Sequence, residues 1–290
     1  MSLLRKIVIN ISDLLGFVFP KIFLIKKKYK KSRLTIYNLH STQENYFFQY
    51  KSILKKIDSQ EKFLNPENID NFFNKKYNDE SYSLLTLDDG FYNNLEFAEK
   101  VLKPLNIKAI FFIIPCLLKD KKNKNQEFFK ILYPNYDVKL IYNLKNQFIP
   151  LSKEHIVKVQ KLGHTIGMHG FNHENFSQLN QKQIKKLIKE GIDIFKKMNI
   201  QINHFAYPFG HKRSFNIRSN KVLKKYFKYI HLGIRGSNYS DKLTNASKLL
   251  NRHPISTHKK DLIYFPISLK EIKFFTSNRI SLLLNIVSRK

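Results

Sequence analysis

Hydrophobic positions fall along the chain in short blocks whose spacing changes character from one block to the next. Leu34–Tyr37, Ser83–Leu87, Ile107–Ile114, Thr165–Met168, His204–Tyr207 and Tyr229–Gly233 are compact runs that predict strands. The run IKAIFFII at 107–114, closed by Pro115, is apolar almost throughout, as a parallel strand covered on both faces is. Between the runs, apolar residues recur at helical spacing. They predict helices at Phe47–Ile57, Asn94–Leu102, His155–Leu162, Gln181–Met198 and Lys221–Phe227. Pro104 ends the second of these and Gly163 the third. Residues 117–151 are polar and aromatic without a period, and read as an excursion from the core. Strand–helix alternation at this spacing predicts an α/β fold, a parallel sheet with covering helices, open or closed into a barrel.

Polar residues gather where three predicted strands end, which is where such folds place their active sites. The first group is Thr86-Leu87-Asp88-Asp89-Gly90. Two adjacent carboxylates at the end of an apolar strand are costly unless a metal or cation holds them. Successive side chains point in different directions, so one can bind a metal while the other faces a water. Alone, the group is equally an Asp-Asp-Gly turn. The second runs from Gly163 to His173 and contains Gly167, His169 and Gly170. The glycines argue against a helix and for a strand entering a curled loop, on which His169 and His173 can converge on one ion. The third is His204-Phe205-Ala206-Tyr207-Pro208-Phe209-Gly210, a strand that stops in a sharp turn. Backbone N–H groups in such a turn can stabilise an oxyanion, although an ordinary strand-ending turn reads the same way.

Composition changes the picture in two ways. Hydrophobic residues make up 42% of the 290, which excludes a disordered chain, and Cys116 is the single cysteine, which excludes a disulfide-stapled module. The formal charge is +30, with 44 Lys and only eight Arg among the basic residues. Nucleic-acid binding favours clustered Arg, so compositional bias ranks first as the source of this charge, an anionic membrane surface second and nucleic acid third. The apolar stretch Ile7–Ile25, interrupted by Asp13, Pro20 and Lys21, precedes the basic run at 26–33. It suits an interfacial helix beside anionic lipid better than a cleaved signal or a clean transmembrane span. A terminal helix packed on its own domain fits equally well.

Taken in order, the three groups resemble the polysaccharide deacetylases of carbohydrate esterase family four. LTLDDGFYNN, GHTIGMHGFNH and FAYPFG match that family's first three sequence blocks. The resemblance implies a distorted (β/α) barrel over about residues 34–260, with 1–33 as a basic and apolar N-terminal segment and 261–290 as a tail. It implies a divalent metal, zinc above all, on Asp89, His169 and His173, with Asp88 as general base and the Phe209 N–H in the oxyanion site. The last block, Leu250-Asn251-Arg252-His253, makes His253 the candidate general acid; the same stretch also fits a variant in which Arg252 is the recurring residue. Two positions depart from the family pattern. Gly170 stands where a Ser or Thr usually fixes the loop, and Ala206 where an Arg usually pairs with the base. Arg235 is the candidate to orient the base instead.

The implied activity is removal of N-acetyl groups from amino sugars of a surface polysaccharide or its lipid-linked precursor. The partners would be that acetylated glycan and, through residues 1–33, an anionic membrane. Location is expected in the cytoplasm or at the periphery of the inner membrane, with the periplasmic side also open. The main alternative is a degenerate barrel that binds glycan or membrane without turnover, which the departures at Gly170 and Ala206 favour. An Fe(II) oxygenase set of two His and one carboxylate is disfavoured by the adjacent second Asp.

Overall fold

Arg33–Leu39 forms β1, and six of its seven residues are buried, as a strand with both faces covered requires. The structure is a computed structural model that describes residues 32–74, 80–119, 123–135, 148–240 and 248–255. From β1 the parallel strands pair in chain order: β2 (Ser81–Leu87), β3 (Ala109–Ile113), β4 (Thr165–Met168), β5 (His204–Ala206) and β6 (Tyr229–His231). Helices α1 (Phe47–Gln60) and α2 (Ile69–Phe73) precede β2. Helix α3 (Asn93–Phe97) continues as a π-helical turn, Ala98–Leu102, before β3. Helices α4 (Lys124–Leu132) and α5 (Lys153–Lys161) lie between β3 and β4, α6 (Gln181–Lys196) between β4 and β5, and α7 (Ile217–Leu223) between β5 and β6. Helices α5, α6 and α7 open on capping boxes set by Ser152, Asn180 and Asn216. Each such cap is worth about 1 kcal/mol and fixes where the preceding loop ends.

A single segment closes the sheet into a barrel. Strand β8 (Lys248–Leu250) pairs with β6, and β9 (Arg252–Pro254), one residue later, pairs with β1. Asn251 is the hinge. The short strand β7 (Asn238–Tyr239) runs antiparallel to β1, and the Asn238 side chain clamps that hinge. Its Nδ2 donates to Leu34 O (3.2 Å) and Asn251 O (3.0 Å), and its Oδ1 accepts from Asn251 N–H (2.8 Å). Strands of two or three residues carry no readable period, so β7 to β9 are absent from the sequence-based prediction.

Strand alternation sorts the side chains into inner and outer sets. The registers place Leu34, Ile36, Leu84, Thr86, Ile110, Phe112, His204, Ala206, Tyr229, His231 and Arg252 on the inner face. At the N-terminal end of the barrel, Leu64, Ile69, Phe72 and Phe73 join this core. Phe72 meets Tyr82 edge-on and Phe73 stacks on Tyr229, residues from the early part of β2 and the start of β6, so α2 acts as a stopper. The opposite end, where the strands finish, is left for the polar groups. Part of the predicted excursion is ordered: Phe128 and Phe129 of α4 are buried against Phe91 and Phe148. Residues 1–31 of the predicted N-terminal segment and the tail 261–290 lie outside the described residues. Among those described, no helix is long and apolar enough to cross a membrane.

Candidate active site

Strand β2 delivers two carboxylates with different fates. Asp88 N–H bonds to Leu39 O (2.9 Å), which prolongs the β1–β2 pairing and aims Asp88 inward like Thr86. The chain then turns, with Asp89 at φ 72° and Gly90 at φ 77°, so the second carboxylate swings away from the first. Asp88 Oδ1 accepts a 2.6 Å hydrogen bond from Arg252 Nη1. The same guanidinium donates to Thr86 Oγ1 (3.1 Å) and Leu232 O (3.1 Å) and lies over the Phe112 ring at 5.4 Å. Arg and Asp are both buried. Burial alone would raise the Asp88 carboxyl, but Arg252 and the nearby imidazoles outweigh it and hold it below the usual carboxylate range.

Asp89, His169 and His173 converge. Their donor atoms all lie within 4.8 Å of one another. His169 follows β4, its N–H bonded to Ile113 O at 2.8 Å. Its Nδ1 lies 2.9 Å from Ala206 O; a carbonyl only accepts, so Nδ1 carries the proton and Nε2 turns its lone pair inward. That Nε2 is 3.3 Å from Asp89 Oδ1, and His173 Nε2 is 3.5 Å from the same oxygen. Asp89 Oδ1 is nonetheless buried without an aligned hydrogen-bond partner. Three donors pointed at one space and failing to satisfy each other fit a divalent cation, and two imidazoles with one carboxylate suit zinc chemistry. Burial works against the Asp89 charge, but His169, His40 and His173 hold its carboxyl well below the ordinary range. Burial likewise opposes a charge on His169, where the two carboxylates win and raise it. His173, buried and next to His169, is pulled down to about 4.

Backbone strain marks the same residues. Six described non-glycine residues have left-handed φ; three are Asn106, Asn123 and Asn199, the type most tolerant of it, and the others are Asp89, His173 and Phe209. The loop carrying His173 is fixed by Glu174, whose carboxylate accepts from Phe171 N–H (2.9 Å) and Asn172 N–H (2.8 Å). Gly170 has φ 68°, and a Cβ there would come within 2.9 Å of Glu174 Oε2. The departure at Gly170 thus has a physical reason, since Glu174 occupies the space and supplies the loop-fixing bonds. At the other departure, Ala206 gives its carbonyl to His169, and the guanidinium at Asp88 comes from β9.

Of the last block, the structure brings Arg252 to Asp88. Alternation along β9 presents Arg252 to the interior and turns His253 to the outer face, where it packs beside Tyr37 and its Nε2 accepts from Gly236 N–H (3.3 Å). The guanidinium that reaches the base is therefore that of Arg252, where the sequence suggested Arg235. The Phe209 ring packs edge-on to His173 at 4.6 Å and is 48% exposed, and its N–H makes no hydrogen bond among the described residues. One neighbour escaped the sequence reading. His40, exposed just past β1, shares its face with Asp88 through the β1–β2 register and acts electrostatically on both carboxylates. The signal available was its position one residue beyond a buried strand.

A (β/α) barrel whose open end gathers an Asp-His-His donor set beside a second, buried carboxylate is a hydrolase architecture. The chain belongs to the polysaccharide deacetylase family, whose sequence profile matches residues 75–227. Such enzymes remove N-acetyl groups from glycans by hydrolysing a C–N bond. The fold is similar to that of IcaB from Ammonifex degensii (16% identity, TM-score 0.61, covering 79% of this chain and 94% of that one). It is also similar to BC0361, a polysaccharide deacetylase from Bacillus cereus (17%, 0.59, 83% and 69%), and to the Streptococcus pyogenes deacetylase PplD in complex with acetate (18%, 0.58, 79% and 93%). No curated protein sequence matches this chain.

Proposed function

We propose that the protein is a zinc-dependent N-deacetylase acting on an acetylated amino sugar of a surface polysaccharide or its lipid-linked precursor. The observation that carries this reading is the convergence of Asp89, His169 and His173 on an unpaired carboxylate oxygen beside Asp88. Those three residues would hold the ion, which when bound supplies Lewis acidity and lowers the pKa of water to about 7. Asp88, kept ionised and aimed by Arg252, takes the proton from the attacking water. The Phe209 N–H donates to the developing oxyanion. The imidazole of His40 gives a proton to the departing amine, which without it leaves poorly. The basic run at 26–33 would keep the enzyme beside anionic lipid, on the cytoplasmic side or at the inner-membrane periphery.

The test is acetate release from N-acetylglucosamine oligomers and related glycans by the zinc-loaded protein, set against protein stripped with chelator. Release that depends on zinc is the expected result. Absence of release from every acetylated glycan, with zinc bound in stoichiometric amount, would overturn the reading. Deleting residues 1–31 should weaken binding to anionic vesicles at low salt; unchanged binding removes the membrane role.

A further inference from the structure

The distribution of arginine points to a part of the substrate that the acetyl-transfer machinery does not touch. Five of the eight Arg lie among the described residues. Arg33 pairs with Glu61 and Arg252 holds Asp88, each using its guanidinium on a carboxylate. The other three, Arg213, Arg218 and Arg235, fall on two neighbouring loops past β5 and β6 and on the first turn of α7. In a chain with 44 Lys, compositional drift supplies lysine. Yet residues 207–218 hold two Arg and one Lys. Guanidinium differs from ammonium in its planar fork, which matches phosphate and carboxylate oxygens in pairs.

These loops are built into the mouth of the barrel. Gly233 N–H bonds to Gly210 O (2.8 Å), and a Cβ at Gly210 would come within 2.6 Å of the Gly233 backbone, so the two loops touch. The first loop is tied to the one carrying His173 by Ser177 N–H to Ser214 O (3.1 Å) and Asn216 Nδ2 to Ser177 O (3.2 Å). Arg213 and Arg218 are exposed, and neither guanidinium has an acidic partner among the described residues. No Asp or Glu occurs between Asp193 and Asp241. The exposed Phe209 ring packs edge-on to His173 and lies 6.3 Å from the ring of His211, two residues before Arg213.

We propose that the Arg213–Arg218 sector is a subsite for an anionic group carried by the acetylated glycan, either a phosphate or a uronate carboxylate. The proposal rests on the deacetylase reading and names the substrate class of that same site. It is tested with the zinc-loaded protein on three substrates: a neutral N-acetylglucosamine tetramer, the same tetramer with a phosphate at its reducing end, and a tetramer alternating N-acetylglucosamine with glucuronate. The expected result is a kcat/KM about tenfold higher for one or both anionic substrates, with the preference shrinking as salt rises. The two anionic arms identify which group is read. In R213A/R218A the ratio of anionic to neutral kcat/KM falls about tenfold, and in R213K/R218K it falls in the same direction because the fork is lost while the charge stays. Zinc content and circular dichroism of the variants establish that they fold. Equal kcat/KM on all three substrates, or a preference that survives in R213A/R218A or undiminished in R213K/R218K, overturns the subsite while leaving the deacetylase intact. Release from none of the three counts against the deacetylase reading, and the subsite falls with it.

Discussion

Two pairs of buried histidines lie in this barrel, and they meet opposite requirements. His204 and His231, on adjacent strands, bond to each other through Nδ1 and Nε2 at 3.1 Å, with His204 stacked on Tyr229 and His231 edge-on to Phe112. Burial keeps both neutral, pulling His204 down to about 3 and His231 well below its ordinary value. His169 and His173 are equally enclosed but both face Asp89. The first cluster keeps one orphaned atom, His231 Nδ1, and the second keeps two, His173 Nδ1 and Asp89 Oδ1. A neutral nitrogen without a partner costs about 1–3 kcal/mol, whereas an unpaired buried carboxylate costs far more. Burial of histidine is therefore no sign of a metal site; what distinguishes the second cluster is a buried carboxylate oxygen that two imidazoles face without an aligned hydrogen bond.

The largest expected effect separates the two aspartates of the second cluster. Asp88→Asn should lower kcat by about 10³-fold or more while zinc content measured by elemental analysis stays at the wild-type level. Asp89→Asn should lose the zinc as well. A variant at 88 that sheds metal would mean the two roles are reversed. Next comes the proton donor: His40→Gln should cost about 10²-fold in kcat and His253→Gln less than about threefold, and the opposite ranking would reinstate His253.

The first cluster makes a prediction about stability. Both imidazoles have depressed folded pKa values, so below pH 6.5 the unfolded chain binds protons that the folded chain refuses, and stability drains away as pH falls toward about 3. The chain is therefore expected to be less stable at pH 5.5 than at pH 8. Urea denaturation at the two pH values measures it, and a double variant H204N/H231N should flatten the difference. If it does not, the pair is not the proton-sensitive element. Smallest is Arg252→Lys, which keeps the charge at Asp88 but gives up the fork that also reaches Thr86 and Leu232. A drop of about tenfold in kcat with zinc retained is expected, and an unchanged kcat would leave Asp88 oriented by something else.

Much of this was legible in the sequence, for reasons particular residues make plain. IKAIFFII announces a strand buried on both faces, and the Asp-Asp-Gly, His-x-x-x-His and Pro-Phe-Gly groups mark strand ends because polar residues there interrupt apolar runs. The closure of the barrel was not legible, since β8 and β9 are three residues each and depend on the clamp at Asn238. Nor was the exchange of His253 for Arg252, because facing depends on which strand pairs with which, and one residue of register reverses it. Glu174 was hidden similarly: its role appears only once Gly170 brings the loop back onto it.

The segment that shuts the barrel also carries the arginine that holds Asp88. Residues 248–254 are the last described strands, so a chain growing from its N-terminus holds Asp88, Asp89, His169 and His173 long before Arg252 exists. Until that residue arrives, the Asp88 carboxylate lacks the guanidinium that holds it, and the sheet has no seam. On the proposed roles of Asp88 and Arg252, completion of the fold and competence for hydrolysis share one late event, and a partial chain would be inert.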